Sequence, residues 1–535
     1  MAGQLFFLFI LGLSAAVLVS AFQPAPGYMD ADYYYATGLQ LAEGQGFSEP
    51  FLWNYLDAPE GVPHPSHAYW LPLTSLLAAL GMSLSGKLSF AGAKIGFVLL
   101  AGLIPPLTAG IAYALTARRH TAILAGLLGV FSVFYLPYLP TTDTFGLYML
   151  FGGLFFLLPT LIKNGLTRGF VYGLIAGLMY LTRADALLWL LIALILSTYQ
   201  SSTEKNSPLP APRSTLHASR FTLHASRFTL VLIGFLAITT PWLIRNQLAF
   251  GTPFSPGGAK ALWFTSYNQL FAYPADQLGF AQWWASGLAE ILRVRLWALG
   301  QNLQTAIAVQ GAIFSAPFIL VGAWHLRKDF RVQLGVMTWL ITLAAMTLVF
   351  PFAGARGGFF HSGAALQPLL WALAAAGLEG FVSWGNRARG WHLKQARNVF
   401  ATAFVGFALI LSVFIHGQRV LGWGEGGQTW GDSYEYYSQL DQVLENLGIS
   451  VEEILMVNNP PGFYIASGRP AIVIPDGDAN TLLSAAQRYQ ADYVILEFNH
   501  PWGLNKLYDH PDQNRAFRLL WSDEYTYIFQ VEIAP

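Results

Sequence analysis

The chain has no cysteine in 535 residues, which excludes disulfides, thiolate metal sites and cysteine nucleophiles together. Charge is scarce too: Asp, Glu, Lys and Arg make up 11% of the residues, against about a quarter in soluble domains. The 29 basic residues are matched by 29 acidic ones, so no surplus of positive charge is present for nucleic acid. Lys and Arg are missing altogether from residues 23–86, a stretch that holds six acids. Neither a P-loop, nor HExxH, nor an ordered Ser-His-Asp set occurs, and ATP-driven or hydrolytic chemistry finds no support.

What is present instead is apolar: 54% of residues are hydrophobic and mean hydropathy is +0.44. Such a chain reads as a polytopic α-helical membrane protein. Its neutrality conceals a split at residue 430. The tail 430–535 carries 15 acidic against 5 basic residues, and 1–429 carries 14 against 24. Two regions follow: a transmembrane body over 1–429 and a small α/β domain over 430–535. In the tail, Ile454–Val457, Ala471–Ile474 and Tyr493–Glu497 read as strands, Ala479–Tyr489 as a helix and Tyr525–Glu532 as a closing strand.

Basic clusters recur at Arg118-Arg119, 163–168, 205–227, 327–331 and 387–397. Placing them all on the cytoplasmic side leaves spans near 5–22, 89–117, 121–139, 144–162, 169–183, 185–199, 228–248, 302–325, 333–352, 364–384 and 399–417. That is about eleven crossings, N-terminus inside and C-terminus outside, with 23–86 as an acidic outer loop. Tyr69–Met82 is short and contains Pro72, so it reads as a re-entrant or juxtamembrane helix. The tandem TLHASRF copies at Thr215–Phe228 mark 200–227 as a cytoplasmic linker.

Polar residues gather at the outer ends of these spans. Asp30 and Asp32 stand two apart in the first loop beside four tyrosines, a pair suited to a general base or to a divalent cation. A plain solvated acidic loop is the alternative. Asp143 lies in Thr141-Thr142-Asp143-Thr144, between apolar runs. Arg183 and Asp185 sit between two short spans, where a structural ion pair competes with a functional role. Arg245 follows Pro241-Trp242, where snorkelling competes with anion binding. Arg356 and His361 lie in a glycine-rich loop. Arginine grips phosphate with a planar fork of donors, so acids facing arginines at headgroup level suit a lipid-phosphate substrate. Trp53, Tyr55 and Trp70 are sugar-stacking or interfacial side chains.

The segments MDADYYYATGLQLAEGQGF (29–47), PHPSHAYWLPL (63–73), TTDTF (141–145), GLMYLTRADALLWL (177–190), PWLIRNQLAFGTPF (241–254) and FFHSGAALQPLLWALAAAGL (359–378) occur in that order. Together they resemble the C-type glycosyltransferase superfamily. Within it, the chain is similar to bacterial relatives of protein O-mannosyltransferases and of lipid A aminoarabinose transferase. The resemblance implies an enzyme of the bacterial-type plasma membrane, with its site and tail facing outward. It implies transfer of a sugar from a polyprenyl-phosphate carrier to a protein, lipid or glycan acceptor. The catalytic acid would fall on Asp30, with Asp32 as the near alternative. Asp143 and Arg183 match the second acidic and the basic position, with Asp185 beside them. Arg245, Arg356 and His361 are then candidates for the donor phosphate. Many relatives carry an adjacent Asp-Glu where this chain has Asp-Ala-Asp. Which carboxylate is the base, and whether a divalent metal sits at Asp30/Asp32, therefore stay open. A transporter or lipid flippase is the alternative class; it lacks support from any duplicated half.

Overall fold

The computed structural model describes residues 1–198 and 213–532, with backbone alone for 213–224. The part of the expected linker at 199–212 lies outside the described residues. The two heptapeptide copies are followed along the backbone of a helix, Arg213–Phe250.

The chain is a polytopic helical membrane protein. Among the described residues, five helices are long and apolar enough to cross a bilayer: α1 (Ala2–Ser20), α4 (Phe90–Thr116), Ala225–Phe250, Phe330–Val349 and Leu393–Arg419. A sixth candidate is the pair Pro351–Ala364 and Gln367–Arg389, bent by 74°. Shorter apolar helices lie in several of the remaining expected spans, among them α6 (Phe145–Leu161) and Ala316–His325, and another, α3 (Leu73–Ser85), lies where a re-entrant or juxtamembrane helix was expected. The stretch expected as one span over 302–325 begins earlier, at Leu288, and breaks between Gln310 and Ala316.

Local chemistry sets the helix ends. The Ser89 hydroxyl accepts from the Gly92 N–H and starts α4, and Asn164 accepts from Leu166 and Thr167 to start α7 (Gly165–Thr182). Inside the bilayer, packing depends on missing side chains. A Cβ on Gly173 of α7 would lie 2.1 Å from the Val231 carbonyl, and one on Gly234 2.3 Å from that of Phe170. The two helices therefore meet backbone to backbone, as small residues allow in membranes.

The first loop is not a free loop. It contains α2 (Met29–Ala42), β1 (Ser48–Glu49), β2 (Phe51–Leu52) and β3 (His64–Pro65) before α3. The strand pair β1–β3 is antiparallel. The tail supplies β4 (Ile454–Val457), β5 (Ala471–Val473), β6 (Ala491–Glu497), β7 (Phe517–Ser522) and β8 (Thr526–Val531). With β2 they form one six-stranded sheet in the order β2-β5-β4-β6-β8-β7. Strands β2, β5, β4 and β6 run parallel, and β8 and β7 close the edge antiparallel. Helix Ala479–Tyr489 buries Leu482, Ala485, Ala486 and Tyr489 on one face and is capped by Asp478. The sheet thus joins residues 51–52 to residues 454–531, and a bridge between Ala272 and Asp476 ties in the connection that follows the Arg213–Phe250 helix.

Trp53, Tyr55 and Trp70 are each engaged with other aromatic side chains. Trp53 is 2% exposed and stacks on Trp70 at 3.9 Å. Tyr55 is buried, stacks on Tyr489 and donates to the Val473 carbonyl. Trp53 and Trp70 pack within the loop, and Tyr55 packs the loop against the tail.

Candidate active site

Asp30 stands in the first turn of α2, whose N-cap is Tyr28 in extended conformation. The loop before α6 is stitched onto this turn. The Thr142 hydroxyl donates to the Ala31 carbonyl at 2.8 Å, and the Tyr28 hydroxyl donates to the Asp143 carboxylate. Asp143 is 1% exposed and also accepts from the Thr144 hydroxyl at 3.0 Å and the Thr144 N–H. From the other side comes His361, on the short helix Phe359–Ala364. Its ring stacks on Phe145 with centroids 4.1 Å apart. Its Nε2 lies 3.8 Å from Asp30 and its Nδ1 3.6 Å from Asp143.

Three segments distant in sequence therefore bring two carboxylates and an imidazole together, their ligand atoms all within 4.8 Å. Two carboxylate oxygens and one imidazole nitrogen make a donor set that suits a divalent cation of borderline hardness. The cluster includes Asp30 but not Asp32, the second carboxylate of the pair at which a divalent metal was left open. Residues two apart on a helix point about 200° from each other, so Asp32 faces away. It is 3% exposed and accepts a 2.8 Å bond from the Asn459 side-chain amide, at the start of helix Pro460–Ser467. Asp32 is held by the tail, and Asp30 looks into the cluster.

The surroundings disfavour charge on these acids. Burial pushes the Asp30 carboxyl up to about 7, helped by Asp143 and opposed by Arg183. Burial also pushes Asp32 up to about 7, against the Asn459 bond and the Gly27 N–H. Asp143 is raised by burial and pulled back by its donors Tyr28 and Thr144. Proton affinity of this kind gathers at sites of chemistry.

The arginines divide. Arg183 and Asp185 do pair, Nε to Oδ1 at 2.9 Å, and the Tyr148 hydroxyl donates to Asp185 at 3.1 Å. The Arg183 charge nevertheless acts on both Asp30 and Asp143. The Arg356 guanidinium lies 4.9 Å above the Tyr267 ring, and Tyr267 feels both Arg356 and Asp30. Arg245 is elsewhere. It stacks on Trp242 at 4.8 Å and Phe250 at 4.9 Å and donates to the Phe47 carbonyl at 3.1 Å. No contact joins it to Asp30 among the described residues. Sequence reasoning missed Tyr28, Thr144 and Tyr267 as site residues. Tyr28 was readable from its place beside Asp30, whereas nothing marks Tyr267 in its connecting segment.

No protein-family model matches the chain, and no curated protein does either. Solved structures do. The chain is similar to the ArnT protein of Cupriavidus metallidurans solved with undecaprenyl phosphate: 12% identity, 99% of this chain and 98% of that one, TM-score 0.55. It is similar to the oligosaccharyltransferase AglB of Archaeoglobus fulgidus in complex with an inhibitory peptide and a dolichol-phosphate: 12% identity, 92% and 69% coverage, TM-score 0.53. A structure of the Archaeoglobus fulgidus oligosaccharyltransferase with zinc and sulfate gives 13% identity, 97% and 72% coverage and TM-score 0.54. At such identities the likeness is one of fold: the chain shares the fold of these structures.

Proposed function

We propose that the chain is a membrane glycosyltransferase that moves a sugar from a polyprenyl-phosphate carrier to a hydroxyl of a protein, lipid or glycan acceptor. The observation that carries this reading is the convergence of Asp30, Asp143 and His361 beside Arg183 and the Arg356–Tyr267 pair. The polyprenyl phosphates held by structures of the same fold support the choice of donor. On this reading the chain crosses the inner membrane about eleven times, N-terminus inside, and the site and tail face outward.

Asp30 is the catalytic residue. Its carboxylate, raised towards neutral pH, accepts the proton of the acceptor hydroxyl as that oxygen attacks the anomeric carbon. The carbon–oxygen bond to the carrier phosphate breaks on the opposite face, and the electron pair leaves with the phosphate. A single displacement inverts the anomeric centre and leaves no sugar on the enzyme. Arg183 and Arg356 stabilise the negative charge that develops on the departing phosphate. Asp143 is fixed by Tyr28 and Thr144 and orients His361. A divalent cation, when bound, would be held by Asp30, Asp143 and His361 and would supply further positive charge for the phosphate.

The test is Asp30→Asn in membranes supplied with a polyprenyl-phosphate sugar and a hydroxyl acceptor. Product formation is expected to fall at least about 100-fold. Unchanged transfer refutes the assignment, and carrier movement without any product marks a transporter instead.

A further inference from the structure

Between the C-terminal end of α1 and the first turns of α4 lies a cavity of about 540 Å³ that plays no part in the chemistry above. Its lining is largely apolar, and Val17, Ile95 and Leu99 are 54%, 40% and 48% exposed on the outer surface of the helix bundle. Three polar residues, Ser20, Gln23 and Lys94, interrupt it. Lys94 is 8% exposed, and its Nζ donates to the carbonyls of Ser20 and Gln23, each at 2.8 Å. Its third N–H has no oxygen partner, and no carboxylate pairs with it among the described residues. Gln23 is 1% exposed; its Nε2 donates to the Pro137 carbonyl at 2.7 Å, and its Oε1 has no partner. The ammonium also sits in the opening turns of α4, where the helix adds positive potential of its own. A buried cation without a counter-ion is costly. One cationic donor and one orphan acceptor thus sit beside an apolar groove between two membrane helices.

We propose that this groove holds one anionic glycerophospholipid of the surrounding bilayer, of the phosphatidylglycerol type. Its phosphodiester takes the spare N–H of Lys94, a headgroup hydroxyl donates to Gln23 Oε1, and an acyl chain runs along Val17, Ile95 and Leu99. A phosphodiester carries one negative charge and matches one ammonium. A phosphate monoester such as a polyprenyl phosphate approaches two and is better matched by the arginines of the Asp30 cluster. The site stands independently of the transferase reading.

The test offers the purified protein mixed micelles of phosphatidylglycerol and phosphatidylcholine and identifies retained lipid by native mass spectrometry. One phosphatidylglycerol per chain is expected, preferred about tenfold over phosphatidylcholine. Lys94→Met removes the charge, and Ala91→Phe fills the groove while leaving the Lys94 bonds intact; both are expected to bring the ratio to parity. If Lys94→Met fails to fold, Ala91→Phe decides alone. Parity in the unaltered protein, a preference that survives in Ala91→Phe or in folded Lys94→Met, or displacement of the lipid by an equal amount of undecaprenyl phosphate overturns the proposal.

Discussion

Asn459 lies in the tail, 427 residues from Asp32, and donates to its buried carboxylate at 2.8 Å. The same side chain accepts from the Gly462 N–H and caps helix Pro460–Ser467. Asn459→Ala therefore removes two things: a bond to a buried acid, worth about 2 kcal/mol, and a helix cap, worth about 1 kcal/mol. Asn459→Ser retains a capping hydroxyl but is too short to reach Asp32, so it isolates the first of these. Unfolding of the purified protein in detergent is expected to show losses of about 3 and about 2 kcal/mol respectively. Combined with Asp32→Ala in a double-mutant cycle, Asn459→Ser is expected to give a coupling of about 2 kcal/mol. Because Asp32 and Asp30 share the first turns of α2, transfer by Asn459→Ser is expected to fall as well. A coupling below about 0.5 kcal/mol would mean that the tail does not hold this helix, and the division of roles between the two acids would fail.

Three further outcomes follow from the geometry. Gly173→Val places a side chain where its Cβ meets the Val231 carbonyl at 2.1 Å; a loss of at least about 2 kcal/mol is expected in detergent unfolding. Glu497, buried against Tyr437 and Asn458, is raised to about 7 from an unfolded value near 4.3. Its stabilising proton is fully bound below about pH 4 and is lost as pH rises through 7, so Glu497→Gln is expected to match the parent chain's stability in acid and to exceed it by up to about 4 kcal/mol above pH 7. Calorimetric titration with manganese or zinc is expected to show one site in the parent chain and none in Asp143→Asn or His361→Ala, whereas loss in Asp32→Asn alone would restore the original pair.

Membrane class was legible because apolar content and scarce charge are bulk properties that no tertiary arrangement changes. The tail strands at 454–457, 471–473 and 491–497 were legible because short β-branched runs between turn residues have few other uses. Asp30, Asp143, Arg183, Arg356 and His361 could be picked out singly, since ionisable residues at the ends of apolar spans are costly to keep. Their distances could not. Asp143 reaches Asp30 because Thr142 and Tyr28 bind the two loops together, and neither contact leaves a periodic trace. The surroundings of Arg245 were equally hidden. Snorkelling and anion binding are equally open to a cation after Pro-Trp, and only the fold shows its stacking on Trp242, Phe250 and Phe47.

The least legible feature was the part the tail plays, and it follows from reading 23–86 as a loop. Once 29–42 is a helix, Asp30 and Asp32 must diverge, and the second acid requires a partner on the far side. The tail provides it at Asn459, and its further contacts to the same loop include three close to Asp30. Tyr464 accepts from Gln40 at 2.9 Å, the Trp430 indole donates to the Ala25 carbonyl at 3.0 Å, and β5 pairs with β2. All four contacts bear on residues 25–52, the stretch that carries Asp30. The acidic tail and the apolar body differ in composition, yet the sheet they share is what gives Asp30 a fixed direction. Composition therefore marks which residues meet water and which meet lipid, and the boundary of the proposed catalytic unit runs elsewhere.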